Sequence, residues 1–212
     1  MKKLTALFMG CIMITGAFAS CGKDSGDSSS KKESDPLEGK WSMDVEGTAM
    51  DLEFNSGNLC LEMDLSNEAH FNGKSFVVEG SDLGDEYTTF EDEKLTVSMN
   101  GMDLIIMTRT DGEGDSLDGT YSELSGLLFY SLKEETEDLD TKARIDGDKL
   151  FVVYDSFCTY TIDDDKVTLK NPPAAILASS EKDEAVMTFK VDGDTLTLTS
   201  DDGTVDTLTK IK

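Results

Sequence analysis

From Thr48 onward, apolar and polar residues alternate one for one in short runs. Met50, Leu52 and Phe54 fall on one side, Asp51 and Glu53 on the other. Leu59, Leu61, Met63 and Leu65 repeat the pattern against Glu62 and Asp64, and Leu95, Val97 and Met99 repeat it against Thr96 and Ser98. Near the end of the chain, Met187, Phe189 and Val191 alternate with Thr188 and Lys190, and Leu196 and Leu198 with threonines. A period of two puts successive side chains on opposite faces of an extended strand, so each run reads as a half-buried antiparallel strand. The connectors agree. Asp146-Gly147-Asp148, Asp163-Asp164-Asp165, Asp192-Gly193-Asp194 and Asp202-Gly203 each separate two such runs. Asp-Gly supplies the positive φ values that tight hairpin turns need. The expected fold class is all-β, an antiparallel meander over residues 37–212, long enough to bury a core. Two stretches depart from this texture. Residues 123–138 carry Leu124, Leu127 and Leu128 at helical spacing, and residues 171–185 open on two prolines and read as a loop.

Ahead of the strands the chain has a different character. Lys2 and Lys3 form a cationic start, Leu4 to Ala19 is apolar, and Ala19-Ser20 supplies small residues at a cleavage point. The apolar run is short for a membrane span, which takes about 20 residues. Phe18-Ala19-Ser20-Cys21 resembles the lipobox of bacterial lipoproteins. That resemblance implies a signal peptide over residues 1–20, a diacylglyceryl group on the Cys21 sulfur, and an extracytoplasmic, lipid-anchored protein in the cell envelope. One acyl chain binds a membrane only marginally, whereas two give stable attachment. Residues 21–36 contain no aliphatic or aromatic residue after Cys21 and read as a flexible tether. The membrane is thus an expected partner through the lipid alone.

The chain holds 19 basic and 44 acidic residues, a net charge of −25, and removing the leader takes away two lysines and no acid. Such a surface repels phosphate backbones, which excludes nucleic acid as a partner. Export permits disulfides, and Cys60 and Cys158 are the candidate pair. Each also sits in an apolar strand run, where a free thiol behaves as a small buried hydrophobe.

The strand region resembles itself. Leu37-Glu38-Gly39-Lys40-Trp41 matches Leu117-Asp118-Gly119-Thr120-Tyr121. Thr89-Phe90 followed by Leu95-Thr96-Val97-Ser98 matches Thr188-Phe189 followed by Leu196-Thr197-Leu198-Thr199, and Thr108-Arg109 matches Thr209-Lys210. Two units are expected, residues 37–110 and 117–212, related by duplication. A Leu-x-Gly-x-Trp opening and a last strand ending in threonine plus a basic residue resemble the lipocalin-like domains of bacterial lipoproteins. The resemblance implies either one lipocalin-like barrel or two small tandem barrel or sandwich halves. It further implies that Arg109 lies over Trp41 and Lys210 over Tyr121, cation against aromatic face.

Catalytic chemistry finds no footing in the sequence. Gly-x-Ser-x-Gly and glycine-rich phosphate loops are absent. His70 is the single histidine, too few ligands remain for a zinc site, and no cofactor is expected. Asp111-Gly112-Glu113-Gly114-Asp115-Ser116 starts like a calcium loop, but Ser116 and Ser122 stand where an EF-hand needs glycine and glutamate. The function expected is non-catalytic: an anchored envelope protein that binds a small apolar ligand or a protein partner, or else a structural module without a ligand cavity. Metabolic labelling with a fatty acid is expected to mark the wild type and not Cys21→Ala; an unmarked wild type refutes the lipid anchor.

Overall fold

The computed structural model describes residues 35–45, 47–130, 139–171 and 184–212. The leader, Cys21, most of the tether, residues 131–138 of the expected helix and residues 172–183 of the proline loop lie outside them. Sixteen strands follow in order: β1 (Gly39–Val45), β2 (Thr48–Asn55), β3 (Asn58–Asp64), β4 (Ala69–Asn72), β5 (Ser75–Val78), β6 (Ser81–Asp82), β7 (Thr88–Glu91), β8 (Lys94–Met99), β9 (Met102–Asp111), β10 (Gly119–Ser125), β11 (Thr141–Asp146), β12 (Lys149–Asp163), β13 (Lys166–Lys170), β14 (Glu184–Asp192), β15 (Thr195–Ser200) and β16 (Val205–Lys210). All ladders are antiparallel. The fold is all-β, as the alternation requires. The hairpins at Gly147 and Gly193 turn with φ of 63° and 60°, the left-handed region that Asp-Gly supplies. Leu127 to Tyr130 are helical, while Glu123 to Ser125 still belong to β10.

Eight strands close on themselves in the order β12-β13-β14-β15-β16-β1-β2-β3-β12. The remaining large strands continue the same sheet outward as β12-β11-β10-β9-β8-β7, and β4-β5-β6 form a small sheet of their own. The structure therefore has one closed barrel with additional strands, drawn from both expected units, rather than two self-contained tandem halves. The physical reason lies in β12. This strand pairs with β3 along both its parts, but its first part (Lys149 to Tyr154) also pairs with β11 and its last part (Thr159 to Asp163) with β13. A bulge between Tyr154 and Cys158 separates the two parts. Bulges bend a strand and raise its local twist, and here the bend falls where the neighbour changes.

An eight-stranded ring leaves an interior just wide enough to be filled by side chains. Its inward positions carry Trp41, Phe54, Leu61, Tyr160, Leu196 and Leu208, all buried, with Phe54 and Tyr160 edge to face at 5.1 Å. The core does not stop at the ring. Met50, Met63, Val152, Ala143 and Tyr121 are successive cross-strand partners from β2 to β10, and all are buried. One face of this sheet is thus continuous core, and the other faces outward. Leu61 is 2% exposed in the shared part of that core, whereas Val205 is 56% exposed. Leu61→Ala is expected to cost about 2–5 kcal/mol by lost burial plus a residual cavity, and Val205→Ala less than about 0.5 kcal/mol. Denaturant unfolding of the two variants checks the contrast.

Candidate functional site

The outward face of β1, β2, β3, β12 and β11 carries a groove of about 350 Å³. Lys40, Ala49, Asp51, Glu62, Asp64, Arg144, Lys149 and Phe151 line it. Strand parity puts them there: each alternates with a buried neighbour, Lys40 with Trp41, Asp51 with Met50, Glu62 with Met63, Phe151 with Val152. Ladder register then gathers them, since Asp51 stands opposite Glu62, Asp64 opposite Phe151, and Phe151 opposite Arg144.

Phe151 is the only aromatic in the lining. The Arg144 guanidinium lies 4.1 Å from its ring centroid and the Lys149 ammonium 5.8 Å. Carboxylates hold both cations in place. Arg144 donates to Glu62 at 2.7 Å and to Asp146 at 3.1 Å, and Lys149 donates to Asp64 at 3.1 Å. Lys40 reaches Glu62 from the other side at 3.9 Å. Half-burial works against the Arg144 charge, but Glu62 and Asp146 outweigh it and hold its pKa above the ordinary value. Burial likewise pushes the Asp64 carboxyl upward. The bonds from the Ser66 hydroxyl and backbone N–H and from Lys149 outweigh that, leaving its pKa below the usual carboxylate range. The result is a flat ring with two ion-paired cations 4.1 and 5.8 Å from its centre, bordered by acids. The volume lies at the low end for small-molecule pockets, enough for a compact polar group or one or two side chains.

The residues singled out from sequence sit elsewhere. Trp41 is fully buried at the barrel's closing seam, and its indole N–H donates to the Leu37 carbonyl at 2.7 Å. The cation over its ring is Lys210, 4.9 Å from the ring, and not Arg109. Arg109 is the cross-strand partner of Tyr121 and stacks on Phe90 at 4.6 Å. Lys210 thus takes the place expected of Arg109, because β16 closes on β1, while Arg109 stands beside Tyr121 as its ladder partner on β9 with its guanidinium over Phe90 instead. Burial pushes the Tyr121 hydroxyl up to about 12, so it donates as a neutral phenol, to the Leu117 carbonyl at 2.5 Å.

Cys60 and Cys158 are free thiols, which corrects the expected disulfide candidate. Cys158 pairs opposite Leu59 and is buried with it, so Cys60, one residue further along β3, points to the other face. Cys60 bonds the Asp155 carbonyl at 2.9 Å. Burial raises the Cys158 thiol to about 12, which leaves it protonated and unreactive.

The acidic 111–116 loop closes around Arg109. Its guanidinium takes the Ser116 carbonyl at 2.8 Å and the Gly114 carbonyl at 2.9 Å, and pairs with the Glu93 carboxylate. Two oxygens that could have faced a metal ion therefore face a fixed cation. His70 lies half-buried with Nδ1 2.8 Å from the Ser66 carbonyl. Among the described residues no group of three His, Cys, Asp or Glu is arranged to hold a metal, and no helix is long and apolar enough to cross a membrane.

No protein-family model, curated protein or solved structure matches this chain. The groove was not singled out from sequence. Its acids and cations alternate like those of any solvated strand face, and only the pairing of β3 with β12, far apart in sequence, brings them to one place.

A carboxylate with a depressed pKa adds stability above its unfolded pKa, near 3.9 for Asp, and loses it as pH falls through the lower folded value. Asp64→Asn is therefore expected to lose less stability than the wild type between about pH 4 and pH 2. Equilibrium unfolding at a series of pH values reads the difference.

Proposed function

We propose that this chain is a non-catalytic binding protein, held to the cell envelope through a lipid on Cys21, that engages a protein partner with the groove around Phe151. The observation that carries this reading is an outward-facing aromatic ring with the ion-paired Arg144 and Lys149 beside it. Binding energy at protein interfaces concentrates in aromatic and arginine side chains set among near-neutral neighbours. Ion pairs already formed in the free protein lower the ordering cost of such a contact. The acidic remainder of the surface suits a partner with a basic rim, because complementary charge speeds encounter and rejects wrong partners.

Ligand capture inside the barrel has less support. Met50, Met63, Met187 and Phe54, the adaptable side chains that could line an apolar cup, are all buried in one continuous core cluster. An inert structural module of the envelope is the second reading, favoured by that shared core.

A photo-crosslinking residue placed at Ala49, exposed in the groove, or at Thr188, exposed on β14 across the barrel, separates the readings in intact cells. The binding reading expects a discrete adduct from Ala49, absent from Thr188 and lost on adding Phe151→Ala. Equal labelling at both positions, or an adduct indifferent to Phe151, overturns it.

A further inference from the structure

The closing seam of the barrel has a double on the other side of β12. In the seam, the Trp41 indole N–H donates to the carbonyl four residues back, Leu37. In its double, the Tyr121 hydroxyl donates to the carbonyl four residues back, Leu117. Gly39 and Gly119 both have positive φ, 120° and 148°. A Cβ at Gly39 would come within 3.3 Å of the Lys210 side chain, and one at Gly119 within 3.0 Å of the Arg109 side chain. Positive φ favours glycine at both positions, the Asp111 carbonyl oxygen crowds Gly119 further, and in both places a basic side chain lies across the backbone two residues before the aromatic. Trp41 stands in register with Lys210, and Tyr121 with Arg109. The basic residues match as well. The Lys210 N–H donates to the Asp194 carbonyl at 2.8 Å, and the Arg109 N–H to the Glu93 carbonyl at 2.7 Å, at the same sequence spacing.

Sequence and space disagree about which parts belong together. By sequence, Gly39-x-Trp41 opens the unit that ends at Arg109, and Gly119-x-Tyr121 opens the unit that ends at Lys210. In space, the opening of each unit is closed by the end of the other. The closed barrel takes β1–β3 from the first unit and β12–β16 from the second. The sheet beyond it takes β10–β12 from the second unit and β7–β9 from the first.

We propose that the chain is two copies of one β-meander repeat that have traded their opening three strands, an internal strand exchange. Exchange of an identical element between copies is a low-cost way to join them, because each copy keeps the contacts it would make alone. Here the two copies share one chain, connected through residues 112–116.

The exchange has a functional product. Lys40, Ala49, Asp51, Glu62 and Asp64 come from the first repeat and Arg144, Lys149 and Phe151 from the second. They meet because the exchange sets β3 beside β12, so neither repeat owns the groove. That the groove binds a partner rests on the function proposed above; the exchange itself does not.

Trp41 is the chain's single tryptophan, a built-in reporter of which repeat covers it. Exchange expects Lys210→Met, in the second repeat, to shift Trp41 emission, and Arg109→Met, in the first, to leave it unmoved. The reverse pattern overturns the exchange. A protease site inserted after Glu113 gives an independent measurement on the full chain. After cleavage the two fragments are expected to elute together at the intact size with native Trp41 emission, and to part only in denaturant. Separation without denaturant overturns the proposal. Both outcomes stand whatever the crosslinking at Ala49 finds.

Discussion

Everything in this molecule hangs on a strand that cannot satisfy two neighbours along one straight edge. β12 has 15 residues, and one edge must serve β11 first and β13 afterwards. Backbone groups left unpaired between them would cost free energy if buried. The bulge after Tyr154 resolves the conflict by leaving Asp155 and Ser156 exposed while Phe157 and Cys158 turn back into the core. On its other edge the strand pairs with β3 on both sides of the bulge. Ring and outer strands are therefore one sheet with a fork in it, and the core runs through the fork without a break.

The same fork organises the charges. In so acidic a chain, Lys40, Lys142, Arg144 and Lys149 each need a local carboxylate, and Glu62, Asp155, Asp146 and Asp64 supply them. Exposed pairs of this kind contribute about 0–1 kcal/mol each. Their worth is geometric: those of Arg144 and Lys149 place the two cations near Phe151. Arg109 belongs to a different class. Its side chain is 3% exposed, and two loop carbonyls together with Glu93 satisfy its guanidinium. Truncating it would release the Gly114 and Ser116 carbonyls from the donor that holds the loop, rather than merely delete an ion pair.

Fold class was legible because it is local. Alternation at Met50–Phe54 and Leu59–Leu65, and Asp-Gly at 146–147 and 192–193, need only neighbours in sequence to act, and each became a strand or a hairpin where the pattern placed it. Leu37, Gly39 and Trp41 were legible as a unit, with Leu117, Gly119 and Tyr121 as their echo, since a carbonyl, a bare backbone and a ring must sit at fixed spacing. Partnership was not legible. Lys210 and Arg109 present the same chemistry to the same kind of ring, and nothing local says which goes where; the long-range pairing of β3 with β12 decides it. Cys60 and Cys158 illustrate the same limit. They are near in space, yet a shift of one residue in register puts them on opposite faces. The groove was invisible for that reason too, being built from two distant stretches of ordinary-looking strand.

The seam between β1 and β16 is short. Trp41–Lys210 and Ser42–Thr209 are its paired positions, with one more bond from the Ile211 N–H to the Lys40 carbonyl. Both ends of the described chain thus emerge at the same rim, a few residues from the least extensively laced ladder of the ring. A load applied through the segment ahead of Leu37 enters β1 between two unequal flanks, a ladder of seven paired positions to β2 and one of two to β16. Lys210, lying across Gly39 and over the indole, is a side-chain clasp on the weaker of those flanks, so the two termini of the described strands are held to each other by chemistry as well as by ladder bonds.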